Sequence, residues 1–149
     1  MIEHLHSLIC SRVIIDRNSG LASYIDIIEG VTLKEPKNFK LPIFSIVTKF
    51  WVKNGIGDDQ ILEIKISKKK SKKNKLEVLQ IVEIPLDKKG DNLLLDLKVE
   101  NLDIKETGLW VFDTKWRLKD SGTWKKGATI PFKVSISELR TSGKENSRS

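Results

Sequence analysis

Apolar and polar residues alternate along most of this chain, most regularly near its C-terminal end. Trp110, Phe112, Trp116 and Leu118 fall on one parity, and Val111, Asp113, Lys115 and Arg117 on the other. That is the period-2 signature of a strand with one buried face. After a turn, Ile130, Phe132, Val134 and Ile136 repeat the pattern. Residues 108–134 are therefore expected to form a closing β-hairpin, with Trp110, Phe112 and Trp116 packed into the core.

The earlier segments read the same way. Residues 5–15 carry apolar groups on both parities at Leu8, Ile9 and Cys10, which predicts a central strand covered on both sides. Asp16-Arg17-Asn18-Ser19-Gly20 supplies the Asn and Gly that tight hairpin turns demand. A second strand is expected over 21–33, with a bulge at Gly30 where the alternation slips. Residues 34–40, containing Pro36, read as a polar crossover. Pro42 opens a third strand, on which Phe44, Ile46, Phe50 and Val52 share a face. A loop at 54–59 precedes a fourth strand over 61–67, with Leu62, Ile64 and Ile66 inward and Glu63 and Lys65 outward. A lysine-rich tip joins it to a fifth strand over 76–84, with Val78 and Val82 on one side and Leu79 and Ile81 on the other. A turn around Lys89-Gly90-Asp91 then leads to Leu93, Leu95, Leu97 and Val99 on the core side of a further strand.

About eight short strands joined by Gly, Asn, Asp and Pro turns, with no helical period, predict an all-β fold. The favoured form is an antiparallel β-sandwich of immunoglobulin-like or C2-like type, since several strands have one apolar and one polar face. A chain of 149 residues suits a single core. One domain is expected over 1–139, followed by a basic tail at 140–149 that lacks any apolar residue and is expected to be disordered. No apolar run approaches the roughly 18 residues of a membrane-spanning helix, and the start MIEHLHSLIC lacks the basic flank of a secretory signal. Cys10 is the only cysteine, so no intramolecular disulfide forms. These features together suggest a cytoplasmic protein.

The net charge of +7 points to a polyanionic partner until it is located. Lys68, Lys69, Lys70, Lys72, Lys73 and Lys75 crowd into eight residues, and the tail adds more, so the body is near neutral. That cluster is a candidate for sequence-nonspecific binding to nucleic acid or another anionic surface. The competing reading is a solvated, self-repelling hairpin tip that discourages edge pairing. No arginine or aromatic residue is interleaved in the run, so nothing in it supports base readout or stacking. Trp51, out of phase with Phe50, and Trp124, in a turn beside Lys125 and Lys126, are candidate protein-contact residues.

Catalytic and metal chemistry find little support. His4, His6 and Cys10 share a parity, but about 13 Å of strand separates His6 from Cys10. Ser7 and Ser11 have no nucleophile elbow around them. Asp58, Asp59, Asp87, Asp91 and Asp113 could meet around calcium, though loop aspartates commonly serve as turn formers. No catalytic residue, metal ligand or cofactor is therefore assigned. The expected role is a non-catalytic binding or protein-interaction module, with nucleic-acid or anionic-surface binding through the lysine loop at 68–75 as the alternative. The expected partner is another protein or a second copy of the chain covering apolar positions such as Val47, Leu79 and Ile81.

The segments LICSRVIIDRNSGLASYIDIIEGVTL, PIFSIVTKFWV and GLWVFDTKWRLKDSGTWKKGATIPFKV together resemble a family of short bacterial proteins grouped as a domain of unknown function. The resembling elements are the acidic turn at Asp16, the small-residue break at Gly30, Gly108-Leu109-Trp110-Val111-Phe112 and Pro131-Phe132-Lys133-Val134. The resemblance implies a β-sandwich and a bacterial source. It supplies no catalytic residue.

Overall fold

A computed structural model describes residues 2–33, 41–53, 60–73, 75–86, 91–104, 106–120 and 122–137. The expected crossover at 34–40, the loop at 54–59, most of the turn before residue 91 and the tail at 140–149 lie outside the described residues. Nine strands are present among the described residues: β1 (Ile2–Ile15), β2 (Ala22–Ile27), β3 (Gly30–Leu33), β4 (Phe44–Val52), β5 (Ile61–Lys70), β6 (Glu77–Pro85), β7 (Asp91–Val99), β8 (Gly108–Leu118) and β9 (Lys125–Ile136). They form two sheets, ordered β2-β1-β4-β7 and β3-β9-β8-β5-β6. The apolar faces of these sheets meet in one core, since Phe44 of the first sheet makes ring contacts with Phe112 and Phe132 of the second at 5.8 Å each. Phe50 meets Trp116 in the same way at 5.7 Å.

The expected closing hairpin is β8–β9, with Trp110 opposite Phe132 and Phe112 opposite Ile130. The turn after β1 also forms where expected, although only Gly20, and not Asn18, takes a positive φ. Asp16 Oδ1 accepts hydrogen bonds from the amides of Asn18 at 2.7 Å and Ser19 at 3.2 Å, and Gly20 takes the positive φ of 71° that the turn requires. Those two bonds favour the ionised carboxyl and hold the Asp16 pKa below its ordinary value. β1 is central, between β2 and β4.

Gly30 marks something other than a bulge. Residues 21–33 form two strands in different sheets, and the chain leaves β1 at the Ile28 amide, which bonds the Ile9 carbonyl. It joins β9 through the Glu29 carbonyl, which accepts from the Lys133 amide. β3 then pairs with β9 in parallel, the one departure from antiparallel pairing among the described strands. A Cβ at Gly30 would lie 2.5 Å from the Lys133 carbonyl oxygen, so glycine is needed where the two backbones close on each other.

Two bulges overturn the expected side-chain parity. Register slips between His4 and His6, so these residues face opposite sides of the sheet instead of sharing one. The slip opposite Ile66 and Ser67 leaves Leu79 as the extra residue of β6. Leu79 therefore packs on the core with Ile84, while Val78 and Ile81 stand about half exposed at 52% and 50%. Val47, expected to need an outside cover, is fully buried within the chain. Of the three positions suggesting a dimer, only Ile81 faces solvent.

Candidate anion-binding site

The sequence pattern ends the fourth strand at residue 67, but β5 continues to Lys70. Its partner β8 is long enough to pair with Lys68, Lys69 and Lys70 through Phe112, Val111 and Trp110. A backbone ladder forms regardless of side-chain polarity, so the inward parity of Leu62, Ile64 and Ile66 runs on into Lys68 and Lys70. The first three lysines of the cluster are therefore strand residues and not a solvated tip. Lys68 is only 6% exposed. Its stem lies along the core end, with Nζ 5.5 Å from the Trp110 ring centroid. The ammonium donates to the Asp103 carbonyl at 2.9 Å and lies 3.4 Å from the Glu77 carboxylate. This is a lysine with a buried stem and a satisfied head.

At this end of the two sheets a cavity of about 410 Å³ opens, lined by Lys68, Lys69, Lys70, Lys73 and Lys75 with Leu76 and Trp110. Glu77 and Glu106 are its only carboxylates among the described residues. Glu106 bridges two lysines: it accepts from Lys70 through Oε2 and from Lys73 through Oε1, the latter at 3.0 Å. These bonds and charges hold its pKa down to about 2. The Glu106 carbonyl also accepts the Trp110 indole N–H at 2.9 Å. Lys69, Lys72 and Lys75 make no ion pair among the described residues, and Lys72 and Lys75 are exposed. The cluster thus divides into Lys68, which is structural; Lys70 and Lys73, which share an internal anion; and Lys69, Lys72 and Lys75, which have no counter-ion among the described residues.

Trp110 is the residue that sequence reasoning did not place here. Its parity marks a core ring, and it does pack against the core. Because it pairs with Lys70, it also forms a wall of the lysine cavity. The signal was present in the register between two strands far apart in the chain, which alternation within either strand does not reveal.

The two other candidate tryptophans have different surroundings. Trp51 is 41% exposed, with the Lys53 ammonium 5.2 Å from its ring. Trp124 is half-buried, with Lys65 and Arg117 each 4.2 Å from its ring centroid. Arg117 in turn donates to the buried Glu63 carboxylate at 2.7 Å, so Trp124 caps a charged network on the outer face of β5 and β8. Trp51→Ser is expected to cost about 1 kcal/mol or less. Trp124→Ser is expected to cost about 1–3 kcal/mol through the two cation–ring contacts and their packing. Urea denaturation of the two variants checks this, and equal losses would contradict the division.

The N-terminal polar residues are also tied into the fold. Because of the bulge, His4 turns toward the core, 5.3 Å from the Phe50 ring centroid. Its Nε2 lies 2.7 Å from Ser7 Oγ, and Ser7 bonds the fully buried Thr48 at 2.8 Å. This chain satisfies a hydroxyl that burial would otherwise leave unpaired. Burial is also the main reason the His4 pKa falls, with the nearby His6 adding to it. His6 pairs with the Tyr24 hydroxyl at 3.0 Å. Cys10 is buried, which pushes its thiol pKa up. No group of three or more His, Cys, Asp or Glu residues arranged to hold a metal occurs among the described residues. Asp58, Asp59 and Asp87 lie outside those residues, and Asp113 accepts from Thr129 at 3.3 Å.

No protein-family model and no curated protein matches the sequence. Among solved structures, the chain is similar to β-glucosidase from Listeria innocua, determined both with glucose and without a named ligand. Each match has 10% identity and a TM-score of 0.50, and covers 91% of this chain but 16% of the enzyme. A β-glucosidase from Erythrobacter marinus matches at 10% identity and a TM-score of 0.48, over 89% of this chain and 15% of that one. The chain thus spans only a small part of these enzymes, and the Listeria likeness concerns the fold alone. No helix among the described residues is long and apolar enough to cross a membrane.

Proposed function

We propose that this chain is a non-catalytic binding module that engages nucleic acid through phosphate contacts, without sequence preference, at the lysine end of the β5–β6 hairpin. The observation that carries this reading is the cavity of about 410 Å³ lined by five lysines against two carboxylates. Lys69, Lys72 and Lys75, with no counter-ion among the described residues, are point charges suited to phosphate and carry no base-reading geometry. Trp110 supports the reading as a rigid wall. Its N–H is already committed to Glu106 and its ring lies beneath Lys68, so contact would be with backbone and not with stacked bases. The reading includes a β-sandwich of immunoglobulin-like or C2-like type and membership of the family of short bacterial proteins. It also places the protein in the cytoplasm. The side-by-side placement of Gly108–Phe112 and Pro131–Val134 in the β8–β9 pair supports the family membership.

Titration with a generic DNA duplex is expected to give roughly micromolar binding at low salt that weakens steeply above physiological salt. Changing Lys69, Lys72 and Lys75 together to Ala is expected to lower the salt slope by about one per lysine while leaving the fold intact. No binding at low salt would overturn the reading. Binding to anionic vesicles with none to duplex would replace it by a membrane-surface role. A protein contact through Trp51 is a second reading, favoured by the exposure of that ring, and loss of partner capture or self-association in Trp51→Ser is its test.

A further inference from the structure

Glu106 indicates the shape of the ligand group that the lysine cavity accepts. One carboxylate spans two ammonium groups, Lys70 at the end of β5 and Lys73 in the following turn. The carboxylate is held in place from behind, because the carbonyl of the same residue accepts the Trp110 indole N–H. Its side chain is nevertheless 44% exposed, so it can leave toward solvent. Two cations converging on two oxygens of one planar anion are also spaced to converge on two oxygens of a phosphoryl group. A phosphoryl group carries further oxygens, and Lys69 and Lys75 line the same cavity with no ion pair among the described residues.

We propose that Lys70 and Lys73 form the seat for one phosphoryl group of the ligand, and that Glu106 occupies this seat in the free protein as an internal competitor. The inference rests on the reading of this cavity as the nucleic-acid site. Ligand entry exchanges the Glu106 carboxylate for phosphate oxygens on the same two ammonium groups, with no covalent change. The exchange is inexpensive, because the exposed Lys73 pair is weak in water, the part-buried Lys70 passes from one anion to another, and the released carboxylate regains its hydration. The competitor therefore tunes affinity and does not close the site. It also selects against single carboxylates, which offer the two lysines no more than Glu106 already does and leave Lys69 and Lys75 unused.

The test is a duplex titration of the full chain and its Glu106→Gln variant at one low salt concentration. Glu106→Gln is expected to bind on the order of 3- to 10-fold more tightly, the gain from releasing one part-buried and one exposed lysine pair. Glu29→Gln removes the same charge from an exposed position in the crossing between β2 and β3, outside the cavity lining, and is expected to give a clearly smaller gain. In a Lys70→Ala/Lys73→Ala background, Glu106→Gln should have no further effect beyond that of Glu29→Gln. If the parent chain binds duplex but Glu106→Gln binds equally or less tightly, or only as much more tightly as Glu29→Gln, the competitor role is overturned while the site stands. If neither the parent nor Glu106→Gln binds duplex at low salt, both the site and the competitor fall.

Discussion

Phe112→Ala is expected to destabilise the protein by about 3–5 kcal/mol, the usual cost of emptying a fully buried aromatic position. Phe112 has no exposed surface and contacts Phe44 at 5.8 Å and Phe132 at 5.6 Å, both edge to face. Phe44 and Phe132 are stacked on each other across the two sheets. These three rings join the layers, and each is held by the other two, so little can collapse into the space left behind. With total stabilities of about 5–15 kcal/mol for domains of this kind, the loss is a large fraction of the whole. Phe112→Leu keeps most of the volume and is expected to cost about 1.5 kcal/mol or less. Urea denaturation should show a lower midpoint with an unchanged slope for both variants. A loss below about 1 kcal/mol for the alanine variant would mean that the sheets are not joined through this cluster.

The parts of this fold that were legible in the sequence are those in which one strand's own alternation decides its burial. Phe112, Trp116, Phe132 and Val134 are such positions, and all are buried as their parity requires. The turn at Asp16 was legible for a similar reason, since its hydrogen bonds close within a few residues. What escaped was set by partners distant in sequence. The slips at Leu5 and Leu79 arise opposite Lys49 and Ile66 respectively, and each inverts the faces on one side of it. The transfer between sheets at Gly30 depends on the approach of the Lys133 backbone. The candidate site was half legible for the same reason. The lysine run announces a basic patch, but only pairing with Val111 and Trp110 separates strand lysines from turn lysines. His4 meets Ser7 only because a bulge brings the two side chains within hydrogen-bonding reach.

Within the lysine run, charge reversal is expected to have opposite consequences at neighbouring positions. Lys68→Glu places a carboxylate at a site 6% exposed, against the Asp103 carbonyl and the Glu77 carboxylate that the ammonium now satisfies. An unpaired charge at such a position costs about 3–5 kcal/mol, a large part of a total stability of about 5–15 kcal/mol. Lys68→Met keeps the stem over Trp110 and removes the charge. Its cost is expected to be smaller, about 1–2 kcal/mol, because the Asp103 carbonyl then loses its donor. Lys72→Glu lies at an exposed turn position with no ion pair among the described residues and is expected to leave stability within about 0.5 kcal/mol. On the binding side the order reverses. Lys68→Met should weaken duplex binding by no more than the one cavity charge it removes, while Lys72→Glu should weaken binding further and flatten its salt dependence by more than one lysine's worth. Thermal denaturation and duplex titration of the same three variants separate the two roles. If Lys68→Glu were as stable as Lys72→Glu, the inward course of β5 into the lysine run would be refuted.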